Sequence, residues 1–321
     1  MKTPAYDAGP MTVPDDRPLD ALNRVLGSLQ AVRNGRAVFV LLAAFAGAGL
    51  LLAMASSALA RGGGTAWAVL YAGLAFTVAF YGGNAAGLLV MDEAQGRRPR
   101  EVTRAVLDAL ATAHRLLVVL LATGAFGLAL LTGLAGLVWL CRLPAVGPWL
   151  FMLVVPVAVI AAGGLLLAAV AVAGPVAAPA VWSGRDIRQT LRFLLRQVRQ
   201  RLVFAALLAA AVSGVAAAVA ALVTFAVVAG GRVLSVLAVL ILQVDLPAQQ
   251  LMAGLFGRGL RTLGAAGAPV AQDAYGQAAL VGGGLVFALA LVLPGVVYLR
   301  GLCAAYLALE DADRVPSSAA A

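Results

Sequence analysis

Apolar residues dominate six stretches of the chain: Ala37–Ala60, Ala66–Met91, Leu116–Leu140, Trp149–Ala173, Leu202–Ala229 and Ala278–Leu299. None of the six holds Asp, Glu, Lys, Arg or His. A hydrocarbon layer about 30 Å thick is crossed by about 20 apolar residues in a helix. The pattern therefore predicts an all-α fold, a polytopic transmembrane bundle of six spans within one domain, 18–313. Polar runs flank it: residues 1–17 read as a flexible tail and 314–321 as a disordered one.

Between the spans the period changes from continuous to helical. Leu19, Leu22, Leu26, Leu29 and Val32 form a stripe before the first span. Val102, Val106, Leu110, Ala113 and Leu117 form one before the third, and Ile187, Leu191, Leu194, Leu195, Val198 and Leu202 one before the fifth. Spacings of three and four residues predict amphipathic helices lying at the membrane interface. The unit of amphipathic helix, span, short loop and returning span thus recurs three times. The second and third copies begin alike, at Gly96-Arg97-Arg98 and Gly184-Arg185-Asp186, and end in Arg115-Leu116 and Arg201-Leu202.

After the fifth span, Gly230-Gly231-Arg232 precede a shorter apolar run, Val233–Val244. It is too short to cross and predicts a re-entrant or outer-surface helix. A seven-span alternative buries Arg232, at about 2.5–3.5 kcal/mol, and needs a turn near Leu222–Phe225 where no turn residue stands.

Composition agrees with the pattern. Of 321 residues 63% are hydrophobic and 12% charged, against about 25% charged in soluble domains. Net charge is +9, carried by 22 Arg and one Lys. In a soluble chain that would suggest nucleic acid, but here the arginines lie between the spans and no basic domain stands apart, so a nucleic-acid partner is excluded. Eighteen of the 23 basic residues fall on one side of the six-span layout, which holds both termini. Only Arg61, Arg142, Arg232, Arg258 and Arg261 fall on the other. The positive-inside rule then predicts a multi-pass protein with both termini in the cytoplasm, and the excess of Arg and Ala, as GC-rich coding gives, points to a bacterium and so to its inner membrane. Trp67, Trp139, Trp149 and Trp182 all stand at span ends, as an aromatic belt would.

Reactive chemistry is sparse. Ionisable groups inside spans normally mark ion paths and active sites, and these spans have none. Asn84 is the most polar group at depth and is expected to bond a neighbouring helix. His114 is the only histidine, so no His-based triad or zinc pair can be built. Asp92 and Glu93 stand beside Arg97, Arg98 and Arg100, and salt bridges are the expected use. Cys141 and Cys303 fall on opposite sides and cannot pair. Asp311 and Asp313 are too sparse for Ca²⁺, and Gly62-Gly63-Gly64 is a turn, not a phosphate loop. The expectation is no enzyme, no cofactor and no metal. Small residues at Gly83 and Gly87, and at Ala206, Ala210, Gly214 and Ala218, are expected to pack helices closely. Pro156, Pro175, Pro179 and Pro294 are expected to kink or end them.

The third amphipathic helix is the most basic. Arg185, Arg188, Arg192, Arg196 and Arg199 recur beside its apolar stripe. Such a helix can lie apolar face down on the membrane, each arginine gaining roughly 1 kcal/mol near an anionic leaflet. These five are the candidate contacts for acidic lipid headgroups or a partner protein.

Several segments together resemble a family: Gly96-Arg97-Arg98-Pro99 entering an amphipathic helix, Gly174-Pro175 to Pro179-Ala180 closing the fourth span, Trp182-Ser183-Gly184, and Pro294 followed by Tyr298-Leu299-Arg300 and Tyr306. Over most of Leu19–Asp313 the chain resembles bacterial six-span membrane proteins related to the membrane domain of glycerophosphodiester phosphodiesterases, including the YciC-like envelope proteins. The resemblance implies a helical bundle with cytoplasmic interfacial helices and a role in membrane or envelope homeostasis. It carries over no catalytic residue, since the soluble phosphodiesterase domain is absent. The resulting expectation is a non-catalytic membrane protein that organises lipids or partner proteins. The alternative is a membrane subunit of a transporter, served by a separate ATPase.

Overall fold

A computed structural model describes residues 17–60, 65–143, 147–242 and 274–314. Among the described residues every regular element is helical and there is no strand. Helix α1 covers Arg17–Leu26 and runs into a 3-10 segment, Gly27–Arg33. Helices α2 (Gly35–Ala60), α3 (Thr65–Ala94) and α4 (Val102–Leu140) follow. Then come α5 (Gly147–Ala168), a π-turn over Ala169–Ala173, and α6 (Gly174–Trp182). Helices α7 (Ile187–Gln200), α8 (Leu202–Leu242) and α9 (Ala274–Arg314) complete the order. Six of these rods are long and apolar enough to cross a membrane, so the chain is an all-α multi-pass bundle.

The apolar runs place the spans, but the helices overshoot them at the end where the arginines gather, here the basic end. Val102–Arg115 is not a separate amphipathic helix. It is continuous with the third span in the 39 residues of α4, because nothing at Arg115-Leu116 interrupts the backbone ladder. The other two copies do break, at Asn34 (φ −79°, ψ 80°) and at Arg201 (φ −139°, ψ 26°). The expected break at Gly230–Arg232 is also missing: α8 runs through it to Leu242. Two glycines cost a helix about 1 kcal/mol each, less than leaving backbone groups unpaired in an apolar medium. Residues 1–16 and 315–321 of the expected tails, and 243–244 of the expected re-entrant run, lie outside the described residues.

The prolines do not end the helices. Pro175 has no N–H, and the preceding turn widens so that the Gly174 N–H reaches the Ala169 carbonyl. The fourth span therefore continues to Trp182 instead of closing at Ala173. Pro156 and Pro294 lie inside α5 and α9. Gly295 follows Pro294 where a Cβ would come within 3.1 Å of Leu41, so the last helix crosses α2 tightly there.

The core sits at the basic end. It joins Val25 and Ala31, Val40 and Leu41, Ala85–Met91, Val172–Trp182, Phe193 and Leu194, Leu208 and Val212, and Leu302–Leu309. The part of α9 beyond the predicted span, from Arg300 on, is its hub: Leu302, Cys303, Tyr306 and Leu309 are buried at spacings of one to three residues. Close approaches follow from glycines at Gly82 against Ala44, Gly87 against Trp182, and Gly301 against Val212. Two small-residue expectations shift accordingly. Gly87 is a packing glycine, but Gly83 has open space, and Ala210, Gly214 and Ala218 face outward, while Ala205, Leu208 and Val212 face the bundle.

Candidate functional site

Polar groups at the basic end fall into three sets. The first is a knot around Asp92, which is 3% exposed. Its carboxylate accepts from Arg100 Nε at 2.7 Å and from the second terminal nitrogen at 2.8 Å, a bidentate pair. The remaining guanidinium nitrogen donates to Asp108 at 2.7 Å. The hydrogen bond to Asp92 raises the Arg100 pKa above its ordinary value, so the guanidinium stays charged. Around it, Arg36 donates to the Pro99 and Arg100 carbonyls, and Asn34 donates to Glu93 at 2.6 Å. Of the three arginines expected to pair with these carboxylates, Arg100 takes Asp92, while Glu93 meets Asn34 and, at 3.9 Å, Arg300.

The second set is Trp182 with Asn84. The indole N–H donates to Asn84 Oδ1 at 2.9 Å, and the Asn84 amide donates back to the Phe80 carbonyl at 2.8 Å. Trp182 is 6% exposed and leaves the aromatic belt. Trp67, Trp139 and Trp149 remain outward, all at the opposite end.

The third set is α7. Its inward face carries Thr190, Phe193, Leu194 and Gln197, all buried. The five candidate arginines part company around it. Arg185 turns inward: its guanidinium stacks 4.2 Å from the Phe193 ring centre and 5.5 Å from that of Tyr306, and lies 3.3 Å from Glu310. Arg196 pairs with Asp313 at 2.8 Å. Arg188, Arg192 and Arg199 are exposed and make no ion pair among the described residues. Two of the five are therefore clamps to α9. Sequence reading missed Tyr306, Glu310 and Asp313 as their partners. The signal was available in the spacing of Leu302, Tyr306 and Leu309, which continues the helix past the last apolar run.

Two clefts open beside α7. One, of about 580 Å³, is lined by Gln95, Arg97, Ser183, Arg185, Tyr306 and Glu310 among others. Its charges are largely paired internally, since Glu310 meets both Arg185 and Arg314, and Asp311 meets Arg24. The Ser183 and Tyr306 hydroxyls share a hydrogen bond at 2.9 Å. The other, of about 640 Å³, is lined by Arg115, Asp186, Ile187, Arg188, Gln189 and Arg192. Arg115 comes from α4 and meets Asp186 at 3.6 Å. Three guanidinia against one carboxylate leave this cleft positive, and sequence reading did not foresee Arg115 in it, because the contact joins residues some seventy positions apart.

His114 is exposed, and Cys141 and Cys303 are free thiols at opposite ends of the bundle. Among the described residues no three of His, Cys, Asp and Glu come together as a metal would require. No family model matches the chain, and neither does any curated protein or solved structure.

Proposed function

We propose that this chain is a non-catalytic integral membrane protein of the bacterial inner membrane that organises lipids, or proteins held among them, through the segments at its basic end. One observation carries the reading. In the first two copies of the repeat the inward face is made mostly of small residues and large apolar side chains are left outward, and the third copy leaves Leu195 outward. In the first copy Val25, Ser28 and Ala31 are buried while Leu22, Leu26, Leu29 and Val32 are exposed. In the second Ala105, Ala109 and Ala113 are buried while Val106, Leu107 and Leu110 are exposed. In the third Thr190 and Gln197 are buried beside Phe193 and Leu194, while Leu195 is exposed. A water-soluble surface would not repeat that choice, whereas the acyl boundary of a leaflet receives such faces.

The charge asymmetry supports a cytoplasmic placement of this end, since 18 of the 23 basic residues fall on that side of the six-span layout. Spin labels at Leu26, Leu110 and Leu195 in nanodiscs test the reading. Oxygen should relax all three labels more than a water-soluble nickel chelate does. Chelate-dominated relaxation at all three would mean that the outward faces meet water, and the lipid-organising reading would fall.

A further inference from the structure

Resting on that lipid-facing reading, we propose that the cleft between α4 and α7 is a binding site for a lipid headgroup bearing a doubly charged phosphate, either a phosphomonoester or a diphosphate. Arg115, Arg188 and Arg192 face it with one acid, Asp186, so the lining carries two uncompensated positive charges. Arg188 and Arg192 lie one turn apart on α7 and make no ion pair among the described residues. The helix end is not the attraction: Asp186 caps α7, and its own N–H donates to the Gln189 side-chain oxygen at 3.3 Å.

Depth selects a lipid over a free anion. Arg115 is the last charged residue before Leu116–Leu140, a stretch with no ionisable group, so it stands at the hydrocarbon edge where phosphates lie. Exposed Leu195, one turn beyond Arg192, is placed to meet acyl chains. Guanidinium forks match phosphate oxygens in pairs, and two free charges match a dianion better than the single charge of a phosphodiester. The arginines that sequence alone would enlist are divided by this geometry: Arg188 and Arg192 belong to the site, while Arg185 and Arg196 hold α7 on α9.

Detergent-purified protein is titrated with dioctanoyl phosphatidic acid, dioctanoyl phosphatidylglycerol and inorganic phosphate, with lipid adducts read by native mass spectrometry and phosphate by thermal shift. Phosphatidic acid should bind at least fivefold tighter than phosphatidylglycerol. The double variant Arg188→Gln/Arg192→Gln should lose about 25-fold in affinity for it, roughly fivefold per arginine. Arg199→Gln, an unpaired arginine of the same helix outside the cleft, should stay within twofold. The melting temperature shows whether the double variant is folded; if it is not, Arg115→Gln is read instead, with a loss of about fivefold expected. Equal affinity for the two lipids, wild-type binding by the folded variant, or inorganic phosphate binding as tightly as phosphatidic acid would each overturn the site. These outcomes are separate from the nanodisc labels, which report on the apolar faces whether or not a headgroup is held.

Discussion

The two ends of this bundle are built by different rules. At the basic end α4 buries Ala105, Ala109, Ala113, Leu116 and Val119, and beyond Val119 it buries nothing as far as Leu140. Helix α8 repeats this: Ala205, Leu208 and Val212 are buried, and no described residue after them is. At the opposite end α5 buries only Gly147 and Val154. Lipid tails are as apolar as leucine, so helices in a bilayer gain little by hiding leucines from them. What holds them is close backbone approach and polar bonding, and both are concentrated at the basic end: Gly87 under Trp182, Gly301 under Val212, and the Asp92–Arg100–Asp108 knot. The lesson is that cohesion between the rods is concentrated at the basic end, while the opposite end leaves nearly all its apolar side chains outward.

The comparison breaks most sharply at Arg100. Arg100→Met leaves the Asp92 carboxylate buried without its guanidinium. Removing one partner of a buried pair costs 3–5 kcal/mol, and because 24% of the Arg100 side chain reaches solvent we expect about 3 kcal/mol, read by thermal unfolding in detergent. Adding Asp92→Asn should return more than half of it. No recovery in the double variant would mean that the knot is not what closes this end.

Gly87→Ala comes next. Its Cβ would fall 2.3 Å from the Trp182 ring, which cannot retreat because its N–H is bonded to Asn84. Overpacking of this kind costs about 2 kcal/mol. Gly83→Ala, one turn away with open space, should leave the melting temperature unchanged or raise it slightly. Equal losses at both would show that helix flexibility, not contact with Trp182, sets the effect.

Trp182→Phe is smaller. It keeps the ring and strands Asn84 Oδ1, for about 1 kcal/mol. This residue also marks where sequence reading reached its limit. The span cores were legible because twenty apolar residues without charge admit one reading in any context. The extensions were not. Trp182 at a span end looks the same as Trp149 at a span end, yet one is inside the core and the other faces outward, and only the partner helix decides. Likewise Arg185 and Arg188 are one turn apart on one basic stripe, and what separates them is Glu310 on the last helix, 125 positions from Arg185. Periodicity along one helix says which residues share a face. It does not say which face a distant segment will cover, and in the first two repeats the covered face is the one with the smaller side chains.

The smallest expected effect lies at the opposite end and tests the comparison from the other side. Leu128 on α4 and Leu153 on α5 are 66% and 69% exposed. If lipid is all they meet, Leu128→Ala and Leu153→Ala exchange one apolar surface for another and should each change stability by less than about 0.5 kcal/mol, where Leu89→Ala in the core should cost about 2–5 kcal/mol. The physical reason is that acyl chains flow into the space a shortened side chain leaves, whereas the rigid neighbours of Leu89 cannot. A loss of 2 kcal/mol or more at Leu128 or Leu153 would mean that a fixed surface, such as a second copy of the chain, packs against these rods, and the division of labour between the two ends would no longer hold.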